Sequence, residues 1–447
     1  MSCSTLCFGK PDCASENAHE QPITDFAKQN KKGEHATCRS GPSITDIAFT
    51  VSVSSHLSHK SKAKASIIDP QPQAPSAVTT KNLYEPYSTT PETTESLDWA
   101  ELVNLDLSTF DLPGGKEALA KQFKYAVHNV GFFYVSNFGL SQEEVDYQFS
   151  IGKQIFDLPL SEKVKYGVDT KAFSYNGYTG PANHQIDISY VLDNIPKFTS
   201  HFPDKEAHPR PVQDNWDTIE HFAKTIHRNV IERLLVIFAL VLELADEEYF
   251  VKRHNYETRD EDHLRYMPYT ARDKDVNKKA QELYSTGHTD LGSITLLFRQ
   301  PVAGLQVLNN DGKYRWVRPV KGTITVNIAD TLSLLSGRYF KSSIHRVSVP
   351  PADQRHLGRL GVLFFIRPNN NVLVEVVKDS PLLKREGVYE PLEERKDPLD
   401  VGTWVEERQK HIFKNVYDIT DAGQGKDGQE RDELEAEVAG IKIKYWN

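Results

Sequence analysis

His288-Thr289-Asp290 sets an imidazole and a carboxylate two residues apart. On an extended strand, residues i and i+2 point to the same face, so the two side chains would stand side by side. Alone the pair means little, because a chain with 16 histidines and 62 acidic residues in 447 positions yields such a triplet by chance, and a lone strand histidine is usually structural. A third candidate changes its weight. His345 follows 57 residues later in Lys341-Ser-Ser-Ile-His-Arg-Val-Ser348, after strands that could return the chain to the same sheet. Two imidazoles and one carboxylate form a facial set that suits iron(II) and leaves neighbouring coordination positions open for a 2-oxo acid and dioxygen. The same three groups could instead hold zinc and a water, and so serve a hydrolase.

A fourth residue belongs with them. In Arg359-Leu-Gly-Val-Leu-Phe-Phe365, alternation puts Arg359, Gly361, Leu363 and Phe365 on one face and Leu360, Val362 and Phe364 on the other. A guanidinium on a mostly apolar face needs an anion, and either a structural aspartate or the carboxylate of a ligand would satisfy it.

These residues require strands to carry them and helices to back the strands. From His263 onward the apolar period is two, with strands expected at Leu264–Tyr269, His288–Phe298, Gly304–Leu308, Arg315–Val320, Thr323–Ile328, Tyr339–Val349 and Leu360–Ile366. Asn310-Asp311-Gly312 supplies a hairpin turn. Before them the period is helical. Leu119, Phe123 and Val127 mark a helix over 116–130, and Ser141-Gln-Glu-Glu144 is a capping box opening a helix that carries Val145, Phe149 and Phe156. A longer helix over 215–244 carries a stripe from Trp216 to Val241 and must back a large sheet. Short strands are also expected near Leu102–Leu107 and Gly131–Ser136, and a late helix near Thr403–Val416.

The fold class is therefore α+β with a mainly β core, a double-sheet jelly roll backed by helices. Five regions are expected: a disordered Ser/Thr-rich tail (1–96), a helical N-terminal region (97–260), the jelly-roll core (261–375), an extension with a helix (376–417) and a charged tail (418–447). Segments closing the mouth of the core, between Phe173 and Phe198 or near Trp404, are candidates for selecting the substrate.

Composition excludes other classes. Net charge is −9, from 53 basic and 62 acidic residues, which offers no broad electropositive face, so nucleic acid is not an expected partner. The longest apolar run, Leu234–Leu242, is nine residues against the roughly 20 of a membrane span, so no membrane partner is expected. Cys3, Cys7, Cys13 and Cys38 all lie near the start, so no disulfide can staple the core, and a reducing, cytoplasmic location is expected. The spacing of the first three matches no common zinc hook.

The ordered motifs resemble the iron(II)- and 2-oxoglutarate-dependent dioxygenases of the isopenicillin N synthase-like family. The likeness runs from about Leu102 to Asn369 and rests on Leu105-Asp-Leu-Ser, Gly131-Phe-Phe-Tyr-Val-Ser-Asn-Phe-Gly139, Gly287-His-Thr-Asp-Leu-Gly-Ser-Ile-Thr-Leu-Leu297, Gly304-Leu-Gln-Val307, Val326-Asn-Ile-Ala-Asp330 and Lys341-Ser-Ser-Ile-His-Arg-Val347. It implies that His288, Asp290 and His345 bind Fe(II), and that Arg359 receives the distal carboxylate of 2-oxoglutarate. It also implies that the Tyr269 hydroxyl helps to hold that co-substrate, although Tyr269 reads equally as a core aromatic. Two positions depart from the family pattern. Gly361 stands where a serine usually follows the arginine, and Met267 where an asparagine often precedes the tyrosine. The implied reaction is oxidative decarboxylation of 2-oxoglutarate coupled to attack on a C–H bond of a small organic substrate, by hydroxylation, desaturation or ring closure, with ascorbate as a supporting reductant. The texture is similar to fungal members that tailor secondary metabolites. Alternatives are an iron oxidase of this fold that does not use 2-oxoglutarate and a catalytically silent binding protein.

Overall fold

The computed structural model describes residues 90–169, 176–180, 189–193, 205–258, 261–387, 398–417 and 433–446. Residues 1–89 of the expected tail, and most of the expected mouth segment between Phe173 and Phe198, lie outside the described residues. Among those described, the strands in chain order are β1 (Asn104–Asp106), β2 (Phe132–Ser136), β3 (Gly177–Thr179), β4 (Ser189–Asp193), β5 (His263–Tyr269), β6 (Leu283–His288) and β7 (Ile294–Phe298). They continue as β8 (Leu305–Leu308), β9 (Tyr314–Trp316), β10 (Thr323–Ile328), β11 (His345–Ser348), β12 (Arg359–Ile366), β13 (Glu433–Val438) and β14 (Ile441–Trp446).

Eight strands form one sheet in the order β1-β2-β10-β7-β12-β5-β4-β3, and four form a second in the order β6-β11-β8-β9. The two faces of the large sheet differ. Phe133 and Val135, Ile294, Leu296 and Phe298, Ile324, Val326 and Ile328, and Val362, Phe364 and Ile366 are nearly inaccessible and join one core with the helices. The opposite face meets the small sheet through Phe132, Tyr134 and Leu297 against Leu305, Val307 and Val317. The arrangement is a jelly roll with helices on one side.

The helices form where local chemistry calls for them. Ser141 Oγ accepts from Glu144 N at 3.2 Å while Glu144 Oε2 accepts from Ser141 N at 2.8 Å, the reciprocal capping box that opens Gln142–Asp157. The long helix is continuous from Trp216 to Val241 through a π-type turn at His227–Ile231, and Ile219, Phe222, Ile226, Val230, Leu234 and Phe238 on its stripe are all at most 2% exposed. Phe222 meets Phe298 of β7 with ring centroids 4.9 Å apart, and Phe123 of the helix Gly115–Tyr125 meets Phe133 of β2 at 4.5 Å. Each side chain buried in this way contributes about 1.5–3 kcal/mol relative to exposure. No helix among the described residues is long and apolar enough to cross a membrane.

Several expectations change in detail. The strand expected over His288–Phe298 is two: β6 ends at His288 in the small sheet and β7 begins at Ile294 in the large one. The chain therefore switches sheets within the motif. The strand expected over Tyr339–Val349 is ordered only as β11, because Tyr339 and Phe340 turn inward and are buried in the helical core. Order begins before Leu97: Thr93 Oγ1 donates to Asp353 at 2.7 Å, and Glu92 pairs with Arg299 at 2.9 Å. Beyond 418, residues 433–446 form the hairpin β13–β14, whose Val438, Ile441 and Ile443 pack with Trp404 and Val405 of the helix Val401–Tyr417. Trp404 is fully buried in this cluster, so it is a core residue.

Candidate metal centre

The last residue of β6 and the first of β11 are direct cross-strand partners, so antiparallel pairing sets His288 opposite His345. Their ring centroids are 4.4 Å apart. Asp290 lies two residues beyond β6, where the chain leaves the small sheet, and its Oδ2 is 3.8 Å from His345 Nε2. One ligand atom from each of the three residues falls within 4.8 Å of the others. The sequence expectation that a strand would align His288 and Asp290 is replaced by a strand end followed by a turn, with the same convergence.

Each donor is oriented by a second group. His288 Nδ1 lies 2.8 Å from the Thr286 carbonyl and His345 Nδ1 lies 3.1 Å from the Ser343 carbonyl. A carbonyl only accepts, so both Nδ1 atoms carry the proton and both Nε2 lone pairs are free for a metal. Burial, followed by the neighbouring His288, pushes the His345 imidazole down to about 4, which keeps it neutral. For Asp290, burial pushes upward, but the two imidazoles and the hydrogen bonds from Asn327 and Thr295 outweigh it, and the net direction is down. The carboxylate is ionised. Its Oδ2 accepts from Thr295 Oγ1 at 2.7 Å and from Asn327 Nδ2 at 2.8 Å.

Thr295 and Asn327 were not among the residues singled out in the sequence. They are cross-strand partners on β7 and β10, at the chamber-facing parity of strands whose other parity is apolar. A polar residue on the inner parity of such a strand is the signal that could have found them. A further support runs behind the motif. Asp330 accepts from Thr289 Oγ1 at 3.0 Å and Ser342 Oγ at 2.7 Å, and pairs with Arg408 of the C-terminal helix at 3.4 Å.

Arg359 and Tyr269 are brought together as cross-strand partners at the ends of β12 and β5. Arg359 is buried, its guanidinium lying 5.3 Å from the centroid of the half-buried Tyr269 ring. Gly304 makes room for it: a Cβ there would lie 2.5 Å from Arg359 Nη1 and 3.3 Å from the Ser348 carbonyl oxygen. The two departures from the family pattern, Gly361 and Met267, also face each other across this strand pair. A Cβ at Gly361 would meet Leu363 Cδ1 at 3.0 Å, and Tyr269 Oη lies 4.0 Å from Met267 Sδ. Thus thioether and backbone stand where an amide and a hydroxyl are usual.

The donor set fits one ion held about 2 Å from each ligand atom with one side open. Leu297, Leu363, Phe365 and His288 are half-buried, while the helix-facing neighbours Leu296, Val362 and Phe364 are nearly sealed.

Known proteins resemble this chain in sequence and in fold. The family described as non-haem dioxygenase in morphine synthesis N-terminal matches residues 103–217, and the 2OG-Fe(II) oxygenase superfamily matches residues 255–368, together just over half of the chain. A 1-aminocyclopropane-1-carboxylate oxidase of Dictyostelium mucoroides is 27% identical over 326 residues, covering 65% of this chain and 88% of that protein. A 2-oxoglutarate-dependent dioxygenase of Gibberella zeae is 29% identical over 277 residues, covering 60% and 80%. Among solved structures, a full-length Neurospora crassa protein in complex with alpha-KG superposes with a TM-score of 0.58 at 25% identity, covering 71% of this chain and 99% of that one. A 2OG-Fe(II) oxygenase family protein of Caulobacter crescentus shares the fold, with a TM-score of 0.57 at 20% identity over 70% of this chain and 99% of its own.

Proposed function

This chain belongs to the iron(II)- and 2-oxoglutarate-dependent oxygenases, and from that premise we propose that His288, Asp290 and His345 hold the ferrous ion while Arg359, with Tyr269 beside it, receives the distal carboxylate of 2-oxoglutarate. The protein is a 2-oxoglutarate-dependent dioxygenase that oxidises a small organic molecule. Its fungal dioxygenase relative supports a place in secondary metabolism. Iron(II), with 2-oxoglutarate and dioxygen, supplies the oxidising chemistry, in which 2-oxoglutarate becomes succinate and carbon dioxide and a C–H bond of the substrate is attacked.

The work of the chain itself is binding, orientation and exclusion of water. Backbone carbonyls fix the tautomers of His288 and His345, and hydrogen bonds from Thr295 and Asn327 hold the Asp290 carboxylate beside both imidazoles. Gly304 clears the space in which the Arg359 fork can meet a carboxylate by two parallel hydrogen bonds. The sealed helix-facing side of the large sheet leaves the chamber between the sheets as the place for substrate.

The observation that carries this reading is the convergence of two free Nε2 atoms and one ionised carboxylate within 4.8 Å. A catalytically silent scaffold would have no reason to keep all three donors oriented. Anaerobic addition of iron(II) and then 2-oxoglutarate should give a weak visible charge-transfer band, and air should give succinate. His345→Ala is expected to abolish both, and Arg359→Ala to raise the 2-oxoglutarate needed. Retained iron with neither band nor succinate in the wild type would sink the reading.

A further inference from the structure

A second arginine is buried at the end of β12. Arg367 directly follows the strand and is 7% exposed. Its backbone N–H donates to Asp262 Oδ1 at 2.5 Å, so that carboxylate oxygen serves the main chain. Its Nε is sealed without a hydrogen-bond partner, and its guanidinium forms no ion pair among the described residues. A buried guanidinium without an anion is costly, and folded proteins rarely keep one without a use.

Position suggests the use. Arg359, Gly361, Leu363 and Phe365 face the chamber, and Arg367 continues their parity. Its Cγ leans over Gly292, two residues from Asp290, where a glycine Cβ would meet it at 3.1 Å. Beside it lies a flat aromatic pair: His263 of β5 and Phe365 of β12 are cross-strand partners that stack with centroids 4.6 Å apart and planes 13° from parallel. The same cross-strand row continues through Thr295 to Asn327, the two residues that hold Asp290. Phe365, on the chamber-facing parity, is only half-buried. Burial and then the Arg367 charge push the His263 imidazole well below its ordinary range, so it stands as a neutral ring. In the reading above, iron(II), Asp290, a 2-oxoglutarate dianion and Arg359 neutralise one another. That balance makes no use of the Arg367 charge.

We propose that Arg367 anchors a carboxylate of the organic substrate while the planar, unsaturated body of that substrate lies against the His263–Phe365 pair. This rests on the iron and 2-oxoglutarate reading and narrows its substrate class to planar carboxylic acids. The guanidinium fork supplies two parallel charge-assisted bonds, and the stacked rings supply a flat apolar contact next to the metal ligands.

The test uses the anaerobic enzyme loaded with iron(II) and 2-oxoglutarate, titrated calorimetrically with benzoate, cinnamate and 2-naphthoate and with the matching primary amides. At least one acid should bind about tenfold or more tighter than its amide, the discrimination expected of one charge-assisted contact. Arg367→Gln should remove that preference, Arg367→Lys should keep part of it, and both should retain the visible band with 2-oxoglutarate. Because Arg367→Gln removes a buried charge, its Tm without substrate should be unchanged or higher by a few degrees. No acid preferred over its amide, a preference that survives Arg367→Gln, or a Tm lowered by several degrees would each overturn the proposal, the last by showing a structural guanidinium. Loss of the band in the wild type would instead remove the reading beneath it.

Discussion

Leu360, Val362, Phe364 and Ile366 point from β12 into the helices and are at most 5% exposed, whereas Leu363 and Phe365, on the other face of the same strand, are only half-buried. The helix-facing row belongs to one continuous apolar core. The chamber-facing row runs from one buried arginine, Arg359, toward another, Arg367, and past the residues that orient Asp290. One row stabilises the fold by burial, and the other is left with polar and accessible groups that burial alone does not explain. The difference teaches that stability and chemistry are divided here by strand parity.

The largest test of that division is a pair of neighbouring substitutions. Phe364→Ala should cost about 3–5 kcal/mol in urea unfolding, the usual loss for a sealed phenylalanine. Phe365→Ala should cost about 1 kcal/mol or less and act on substrate binding instead. Equal losses from the two would break the comparison. Next in size, Asn327→Ala removes one of the two hydrogen bonds to Asp290 and should weaken iron binding by about 10–100-fold, read by metal competition, with little change in Tm. Gly304→Ala then puts a methyl group where Arg359 Nη1 lies; the 2-oxoglutarate KM should rise about tenfold, the equivalent of one charged hydrogen bond, while iron affinity holds.

The smallest effect belongs to the helical side. His208 is buried beside Trp216, and burial pushes its imidazole down to about 4 from an ordinary 6.5. Below pH 6.5 the unfolded chain takes up a proton that the folded chain refuses, so stability falls as pH drops from 6.5 toward 4 and is unaffected above that window. The loss by pH 5.5 should be about 1 kcal/mol, and His208→Gln should flatten it in denaturation curves measured across that range.

Much of this was legible because it is local. The alternation of Arg359 to Phe365 and the capping box at Ser141 depend only on neighbouring residues, and both are present as read. The break between His288 and Ile294 was not legible, because a sheet switch leaves an apolar run looking like one strand. The charged C-terminal stretch concealed a hairpin. Glu433-Leu-Glu-Ala-Glu-Val438 and Ile441-Lys-Ile-Lys444 alternate with period two, but the charge on one parity hid an apolar face that has Trp404 to cover it. Thr295 and Asn327 escaped notice for a related reason: what makes them matter is a carboxylate delivered from a turn that no local period describes.

By itself the sequence determined which side chains were available as donors and which face of each strand would be apolar, since residue identity and strand parity are properties of a few adjacent positions. Only the tertiary structure decided that His288 and His345 pair across β6 and β11, that Asp290 turns back between Thr295 and Asn327, and that Arg367 is buried without an ion-pair partner among the described residues. Register between strands 57 residues apart is set by the packing of whole sheets, and no short window of sequence contains that information.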